Sequence, residues 1–410
     1  MSGKIAIVGA GPSGCYLAQA LLKKAPDLQV DLIDQLPVPY GLVRYGVAAD
    51  HQGTKGVARQ FARVFERQGA RFFGNVSIGR DVTLEDLRAA YDAVVLAAGL
   101  SSDRKLGVPG DDLPGVFGAG RLTRALFEHP EAEDLPDLGA HPVIVGNGNV
   151  AIDLLRLLAK APEELDGSDL GEGPSRWLAQ SGIETITITG RSPAVRAKFD
   201  AVMVKELAKL SDVRIEVIGA GDGNDPAEAK TLEALSAIHD HGDGAKRITF
   251  RFGLTPKAVE GDAQAQAVRF ANQGGEEVIP CTSVLTAIGF EAAPGLPRDA
   301  LISGAADAEA GRLATGLFAA GWFRRGPRGT IPENRADAQA LAAVILDDLS
   351  ADPARVGGAV FDGLDQVVDY SGWCRIDAAE TEAAPEGRCR SKLATRETML
   401  GVAGARETTK

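Results

Sequence analysis

Cysteine is scarce: the chain has four, Cys15, Cys281, Cys374 and Cys389, and they are scattered. No C-x-x-C pair exists, which excludes the dithiol chemistry of a thioredoxin reductase, and no neighbouring histidine completes a zinc-ligand pattern. Buried or inert thiols are the expectation. Long apolar runs are also missing, since none approaches the roughly eighteen residues that a membrane span needs. The first strand, at Lys4 to Val8, starts too early and is too short for a secretory leader. A cytoplasmic location follows as the expectation. Basic charge is short too. A net charge of −12 argues against nucleic acid as partner, because phosphate binding needs a broad basic face. An acidic protein partner stays open, because a local cluster of Lys and Arg suffices for it.

What is present has the profile of a globular chain, with 45% hydrophobic and 24% charged residues. At 410 residues it exceeds one ordinary core and suggests two or three domains. Nothing in the sequence demands more than a monomer.

The opening reads as strand, glycine turn, helix, strand: Ile5-Ala6-Ile7-Val8, then GAGPSG, then an apolar helix from Cys15 to Leu22, then Val30 to Asp34. A second such unit runs from Pro142-Val143-Ile144-Val145 through GNGNVA and a helix from Ile152 to Leu158 to a strand at Thr185 to Ile188. Three apolar runs end in small residues, as strands beside a bound nucleotide do: Tyr91 to Gly99, Ser283 to Gly289 and Gly316 to Gly321. Their order places the second unit inside the first. The expected fold is therefore α/β with two dinucleotide-binding, Rossmann-like domains, the second at 106–317 inserted into a discontinuous first at 1–105 and 318–410. Ala161 to Ser175 reads as a surface segment. Asp222 to Asp243 reads as a polar excursion with a helical stretch at Glu228 to His239. A helix is expected from Ala336 to Leu349, then a tail with a short apolar patch and a mobile polar end.

In the first motif, Gly9 permits the tight turn, Gly11 lets a phosphate approach the backbone, and Gly14 lets helix pack on strand. Alone, the pattern also fits a plain turn. Asp34, 20 residues beyond Gly14 at the end of the next strand, adds a carboxylate able to accept ribose hydroxyls and hostile to a 2′-phosphate. FAD or NAD(H) is expected there. The second motif, Gly146, Gly148 and Ala151, is followed by a strand ending in Arg191, whose guanidinium can clamp a 2′-phosphate and favour NADPH. The plainer reading makes Arg191 a solvated strand-end cation. An acid at one site and an arginine at the other suggest a flavin that stays and a nicotinamide that exchanges. With no dithiol acceptor and little chain left for a substrate domain, a one-electron protein acceptor is the simple remaining outlet.

Three further stretches are more specific than either turn: PYGLVRYGVAADH from Pro39 to His51, GNGNVAID from Gly146 to Asp153, and GWFRRGPRGTI from Gly321 to Ile331. Together they resemble the adrenodoxin reductase family of ferredoxin–NADP⁺ reductases, from the first strand to about Leu400. The resemblance implies FAD contacts at Ser13, Asp34, Leu42, Ile78, Trp322, Gly329, Thr330 and Ile331. It implies NADPH contacts at Asn147, Gly148, Asn149, Val150, Arg191 and Glu206, with Gly329 also at the nicotinamide. His51 and Asp153 match positions given roles in electron or proton handling, against the alternative that one packs locally and the other orients a helix end. The family's second arginine is Ser192 here, which relaxes the grip on the 2′-phosphate unless Arg196 and Lys198 compensate.

The resulting expectation is hydride passage from NADPH to FAD and single-electron delivery to a ferredoxin, a [2Fe–2S] protein by the resemblance, docked on cations such as Lys205, Lys209, Lys246 and Arg247. Two rivals stand beside it: an electron-entry subunit of a larger enzyme, which would bring cysteine-rich segments, and a non-catalytic FAD or NAD(P) sensor.

Overall fold

A computed structural model describes residues 3–221, 226–293 and 296–404. The chain divides into two compact units, one made of 1–102, 128–131 and 290–410, the other of 103–127 and 132–289. The second crossing thus falls at 289/290 and not at the expected 317/318. The reason is strand pairing: Leu317–Ala319 lies parallel to Ala93–Leu96, and Arg312–Ala314 pairs with it in turn, so this stretch completes the first unit's sheet.

That sheet has six strands in the order 312–314, 317–319, 93–96, 4–8, 29–34 and 71–74, all parallel but for the first pair. The cores of its central strands, Ile5–Val8 and Ala93–Leu96, are apolar because both faces are covered. Ile5 and Ile7 join Val30, Leu32 and Val95 in one core, and Ala6 and Val8 join Ile33, Val94 and Leu96 in the other. Successive side chains of a strand point to opposite faces, so one run of residues feeds both layers. The helix Pro12–Lys24 starts with proline at its head, ends with Lys23 and Lys24 near its negative pole, and buries Leu17, Ala18 and Leu21. It packs on the long helix Ile331–Asp348 through the latter's Ala338, Leu341, Ala342 and Ile345.

The second unit holds a wholly parallel six-stranded sheet in the order 116–118, 283–286, 142–145, 185–190, 246–252 and 213–218. A three-stranded antiparallel sheet, 255–260, 267–272 and 275–280, accompanies it. In both large sheets the strand order reverses beside the strand that feeds a glycine motif, which is where open α/β sheets bind ligands.

Some expectations change. Within Ala161 to Ser175, Leu165, Ser168, Asp169 and Leu170 are buried, so this segment turns inward. The polar excursion contains a helix at Pro226–Ser236, while its residues 222–225 lie outside the described ones, as does the polar end at 405–410. The tail is not plain: two helices, Tyr370–Glu382 and Arg396–Ala403, add Trp373, Ile376, Met399 and Ala403 to the first core. Cys15 and Cys281 are buried and Cys374 and Cys389 exposed. Burial raises the Cys281 thiol to about 11.

Candidate functional site

The two glycine turns are built by the same steric device. At Gly9, φ is +111° and a Cβ would stand 2.4 Å from the Ala97 carbonyl oxygen; at Gly146, φ is +123° and a Cβ would stand 2.2 Å from that of Ala287. Neither position admits a side chain. Each turn is then pinned from both sides. Gly9 N–H donates to Ile33 O at 2.7 Å and Ala97 N–H to Val8 O at 2.8 Å; Gly146 N–H donates to Thr189 O at 2.9 Å and Ala287 N–H to Val145 O at 2.8 Å. The helices that follow, Pro12–Lys24 and Asn149–Ala159, begin at Gly11 and Gly148, and no side chain caps either. By contrast Thr83, Asp369 and Thr395 cap helices elsewhere in the first unit with their own oxygens. An uncapped first turn presents N–H groups and the positive end of a helix, the arrangement that holds a pyrophosphate.

Around the first turn, Asp34 accepts the Ala10 N–H at 2.9 Å through Oδ2 and the Leu36 N–H at 3.0 Å through Oδ1. Burial lifts its carboxyl to about 6 against these two hydrogen bonds. Each oxygen keeps a lone pair, and the side chain is partly exposed, so a ribose hydroxyl has an acceptor. Leu42 heads a short helix and is 40% exposed, and Ile78 lies half-buried in the loop after the strand Arg71–Gly74. Ser13 donates to Asn334 Oδ1 at 3.0 Å, and Arg325 Nη2 donates to the same oxygen at 2.8 Å. Gly321 has φ +58° and a Cβ there would meet Ser13 Oγ at 1.9 Å. Trp322 stacks on Phe290 at 6.0 Å and donates Nε1–H to Gly329 O at 3.1 Å. Thr330, at the head of the helix that Ile331 opens, is tied to Glu333 through both its N–H and its hydroxyl. His51 is the N-cap residue of Gln52–Lys55, its side chain makes no cap hydrogen bond, and the residue has interactions elsewhere.

The reading from sequence missed Asn334, Arg325 and Asp337. Asp337 accepts the Gly321 N–H at 3.1 Å and pairs with Arg324. The capping pattern Thr330-Ile331-Pro332-Glu333 was the available signal, since it starts the helix five residues before Ala336 and puts Asn334 and Asp337 on its first turns.

Around the second turn, Asn147 Nδ2 is buried with no hydrogen-bond partner, packed over Gly190, where a Cβ would meet it at 2.1 Å. An orphaned amide N–H beside a glycine turn is a donor waiting for an acceptor. Asn149 Oδ1 accepts the Asp200 N–H at 2.7 Å, and Asp200 in turn caps Ala201–Lys205, so the turn braces the loop that carries the cations. Gly148 and Val150 are half-buried at the helix start. Arg191, just past the strand Thr185–Gly190, is exposed and has no acidic partner among the described residues; Arg196 and Lys198 are exposed likewise. Glu206 is half-buried at the end of Ala201–Lys205 and already engaged. Asp153 pairs with the buried Arg156 at 3.0 Å. Of the four docking cations, Lys205 is paired with Glu233 at 2.6 Å and Lys246 turns inward to Leu158 O and Ala159 O at 3.3 and 3.4 Å, while Lys209 and Arg247 stay exposed.

Residues 3–321 match the sequence model of the pyridine nucleotide-disulphide oxidoreductase family. Cindoxin reductase of Citrobacter braakii is 41% identical over 97% of this chain and 91% of its own. NADPH-ferredoxin reductase FprA of Mycobacterium tuberculosis is 34% identical over 97% and 98%. The solved structure of that FprA in complex with NADPH superposes with a TM-score of 0.89 at 32% identity, covering 98% of this chain and all of the other. Among the described residues no group of side chains could hold a metal ion, and no helix is long and apolar enough to cross a membrane. The chain therefore belongs to the pyridine nucleotide-disulphide oxidoreductase family and, within it, to the adrenodoxin reductase-like ferredoxin–NADP⁺ reductases.

Proposed function

We propose that this protein is an FAD-containing reductase that oxidises NADPH and hands the electrons singly to a ferredoxin, most simply of the [2Fe–2S] kind. The observation that carries the reading is the pair of sterically matched glycine turns followed by groups of opposite charge, Asp34 in one unit and Arg191 in the other. The first unit would hold the flavin through Gly9, Gly11, Ser13, Gly14, Asp34, Leu42, Ile78, Trp322, Gly329, Thr330 and Ile331. Bound there, a flavin takes an electron pair from a nicotinamide and releases electrons one at a time. The second unit would hold NADPH, with the Asn147 amide and the turn's N–H groups on the pyrophosphate and Arg191 on the 2′-phosphate, helped by Arg196 and Lys198 in place of the arginine that Ser192 replaces.

His51 is the proton-handling candidate of the first unit. Asp153, held by Arg156, serves to orient its helix, the role its ion pair supports. The partner would dock on exposed cations. In the second unit Lys209 and Arg247 remain available; in the first, the helix Ala58–Glu66 with its C-cap carries Arg59, Arg63 and Arg67, exposed at four-residue spacing and without acidic partners among the described residues. We place the protein in the cytoplasm as a monomer.

Anaerobic titration of the yellow protein with NADPH and NADH in parallel tests the reading: NADPH should bleach the flavin at the lower concentration. Cytochrome c reduction should then require added [2Fe–2S] ferredoxin and collapse at high salt. Colourless protein that takes up no FAD, or equal cytochrome reduction without ferredoxin, overturns it.

A further inference from the structure

The match to the oxidoreductase family ends at residue 321, yet the segment Asp369–Ala403 reaches back to both ends of the first nucleotide site. At one end lies the stretch 40–45. Its inner side sits on the glycine turn: Tyr40 N–H donates to Ala10 O at 2.9 Å, and a Cβ on Gly41 would stand 3.1 Å from Gly11 Cα. Tyr40 itself has φ +80° and Gly41 +45°. A tyrosine in that region is strained and persists only where its surroundings over-determine it.

Those surroundings come largely from the C-terminal segment. The Tyr40 ring meets Trp373 edge-on at 5.7 Å, and its hydroxyl lies 3.3 Å from that of Tyr370. One turn later Arg44 is buried, its guanidinium 5.3 Å from the Trp373 ring centre and donating to Glu380 Oε1. Glu380 is fully buried. It also accepts the Leu393 N–H at 2.9 Å through Oε1 and Arg390 Nη1 at 2.9 Å through Oε2. At the other end, Arg396 donates to Gln35 O at 2.7 Å, next to Asp34, and reaches Asn75 and Glu131.

Resting on the reading that the first unit holds FAD, we propose that residues 369–403 form a clasp for the cofactor, with Glu380 the positioning residue that acts through Arg44 to press Tyr40–Gly41 onto the pyrophosphate turn. Arg396 is its second tie, fixing the strand end that carries Asp34. A buried cation whose carboxylate partner is neutralised rearranges or draws in water, and the strained turn it anchored then has less to hold it.

The test compares FAD release from the holoprotein, followed as the rise of free-flavin fluorescence on dilution, with thermal unfolding of holo and FAD-stripped protein. Glu380→Gln should release FAD at least about tenfold faster and shrink the stabilisation that FAD confers, and Glu380→Asp should restore most of the loss. Asp348→Asn, which breaks the Arg312–Asp348 ion pair in the same unit away from these turns, should release FAD at the parent rate. Parent-like release from Glu380→Gln, or equal melting losses with and without FAD, overturns the clasp. Should Glu380→Gln fail to fold, Arg396→Gln, whose side chain is 24% exposed, reads the second tie by the same two measurements, and unchanged release there overturns it. Parent protein that binds no FAD at all is a different result and removes the underlying reading instead.

Discussion

The two glycine turns share a backbone plan and differ in what encloses them. Around the first, Ser13, Asn334, Arg325, Tyr40 and Gly41 close in, and Gly41 Cα lies 3.9 Å from where a Gly11 Cβ would be. Around the second, a Cβ on Gly148 would touch nothing within 4 Å, and Arg191, Arg196 and Lys198 stand exposed. Enclosure slows exchange by tying release to the opening of packed structure, whereas an open cationic rim favours rapid arrival. The difference is the one expected between a resident cofactor and a substrate that must leave each turnover.

The comparison breaks most sharply at the third position of each motif. A Cβ on Gly14 would stand 2.0 Å from Gly9 O, whereas Ala151 carries a methyl there and is fully buried without displacing its turn. Gly14→Ala should therefore push the helix Pro12–Lys24 off its strand, cost about 2–3 kcal/mol or more, and yield largely flavin-free protein. Ala151→Gly should cost only about 1 kcal/mol through helix propensity and leave FAD content untouched. Thermal unfolding and the flavin-to-protein absorbance ratio check both. Equal tolerance of the two substitutions would mean that the turns are not enclosed differently.

Much of this asymmetry could be read from the residues alone. Glycine spacing, Asp34 and Arg191 are local signals, because a turn, its strand and the next strand end lie within about fifty residues of one another and each residue type answers one steric or electrostatic need. The domain edge at 289/290 was harder to read, since Gly316 to Gly321 looks alike whichever sheet it joins; only its pairing with Ala93–Leu96 decides. The clasp was less legible still. Glu380, Trp373 and Arg396 sit in a tail without a glycine signature, and their meaning depends on Arg44, Tyr40 and Gln35 more than 300 residues earlier. The inward turn at Leu165–Leu170 was hidden because Ser168 and Asp169 read as polar surface, although Ser168 is fully buried and Asp169 nearly so.

The next largest effect should fall on the open site. Arg191 is exposed and has no acidic partner among the described residues, so Arg191→Gln should remove a charge-assisted grip without disturbing its neighbours, raising the NADPH KM about ten- to hundredfold while leaving kcat and the NADH KM nearly unchanged. Ser192→Arg should move the same ratio the other way, by a smaller factor. Steady-state kinetics with ferricyanide as acceptor reads this without any ferredoxin. A fall in kcat with an unchanged KM would place Arg191 outside the 2′-phosphate site.

The smallest expected effect sharpens the enclosed site. Burial raises the Asp34 carboxyl from 3.8 to about 6, with the Ala10 and Leu36 N–H bonds opposing it. The folded, flavin-free chain therefore binds a proton more readily than the unfolded chain between these values, so this group stabilises the apoprotein as pH falls toward 4, and the gain is lost as pH rises through about 6. FAD should shift the balance the other way. Ribose hydroxyls donate to the carboxylate form, so proton and cofactor compete for Asp34, and FAD affinity should hold above about pH 6.5 and fall by up to about tenfold per pH unit below 6. Asp34→Asn should bind FAD more weakly at pH 7.5 but with a flat profile across the same range, because its amide has no proton to gain. Flavin-fluorescence titrations of the stripped protein from pH 5 to 8 separate the two curves. Parallel slopes for parent and variant would move the proton to another group and leave Asp34 as a brace for the Ala10 and Leu36 backbone alone.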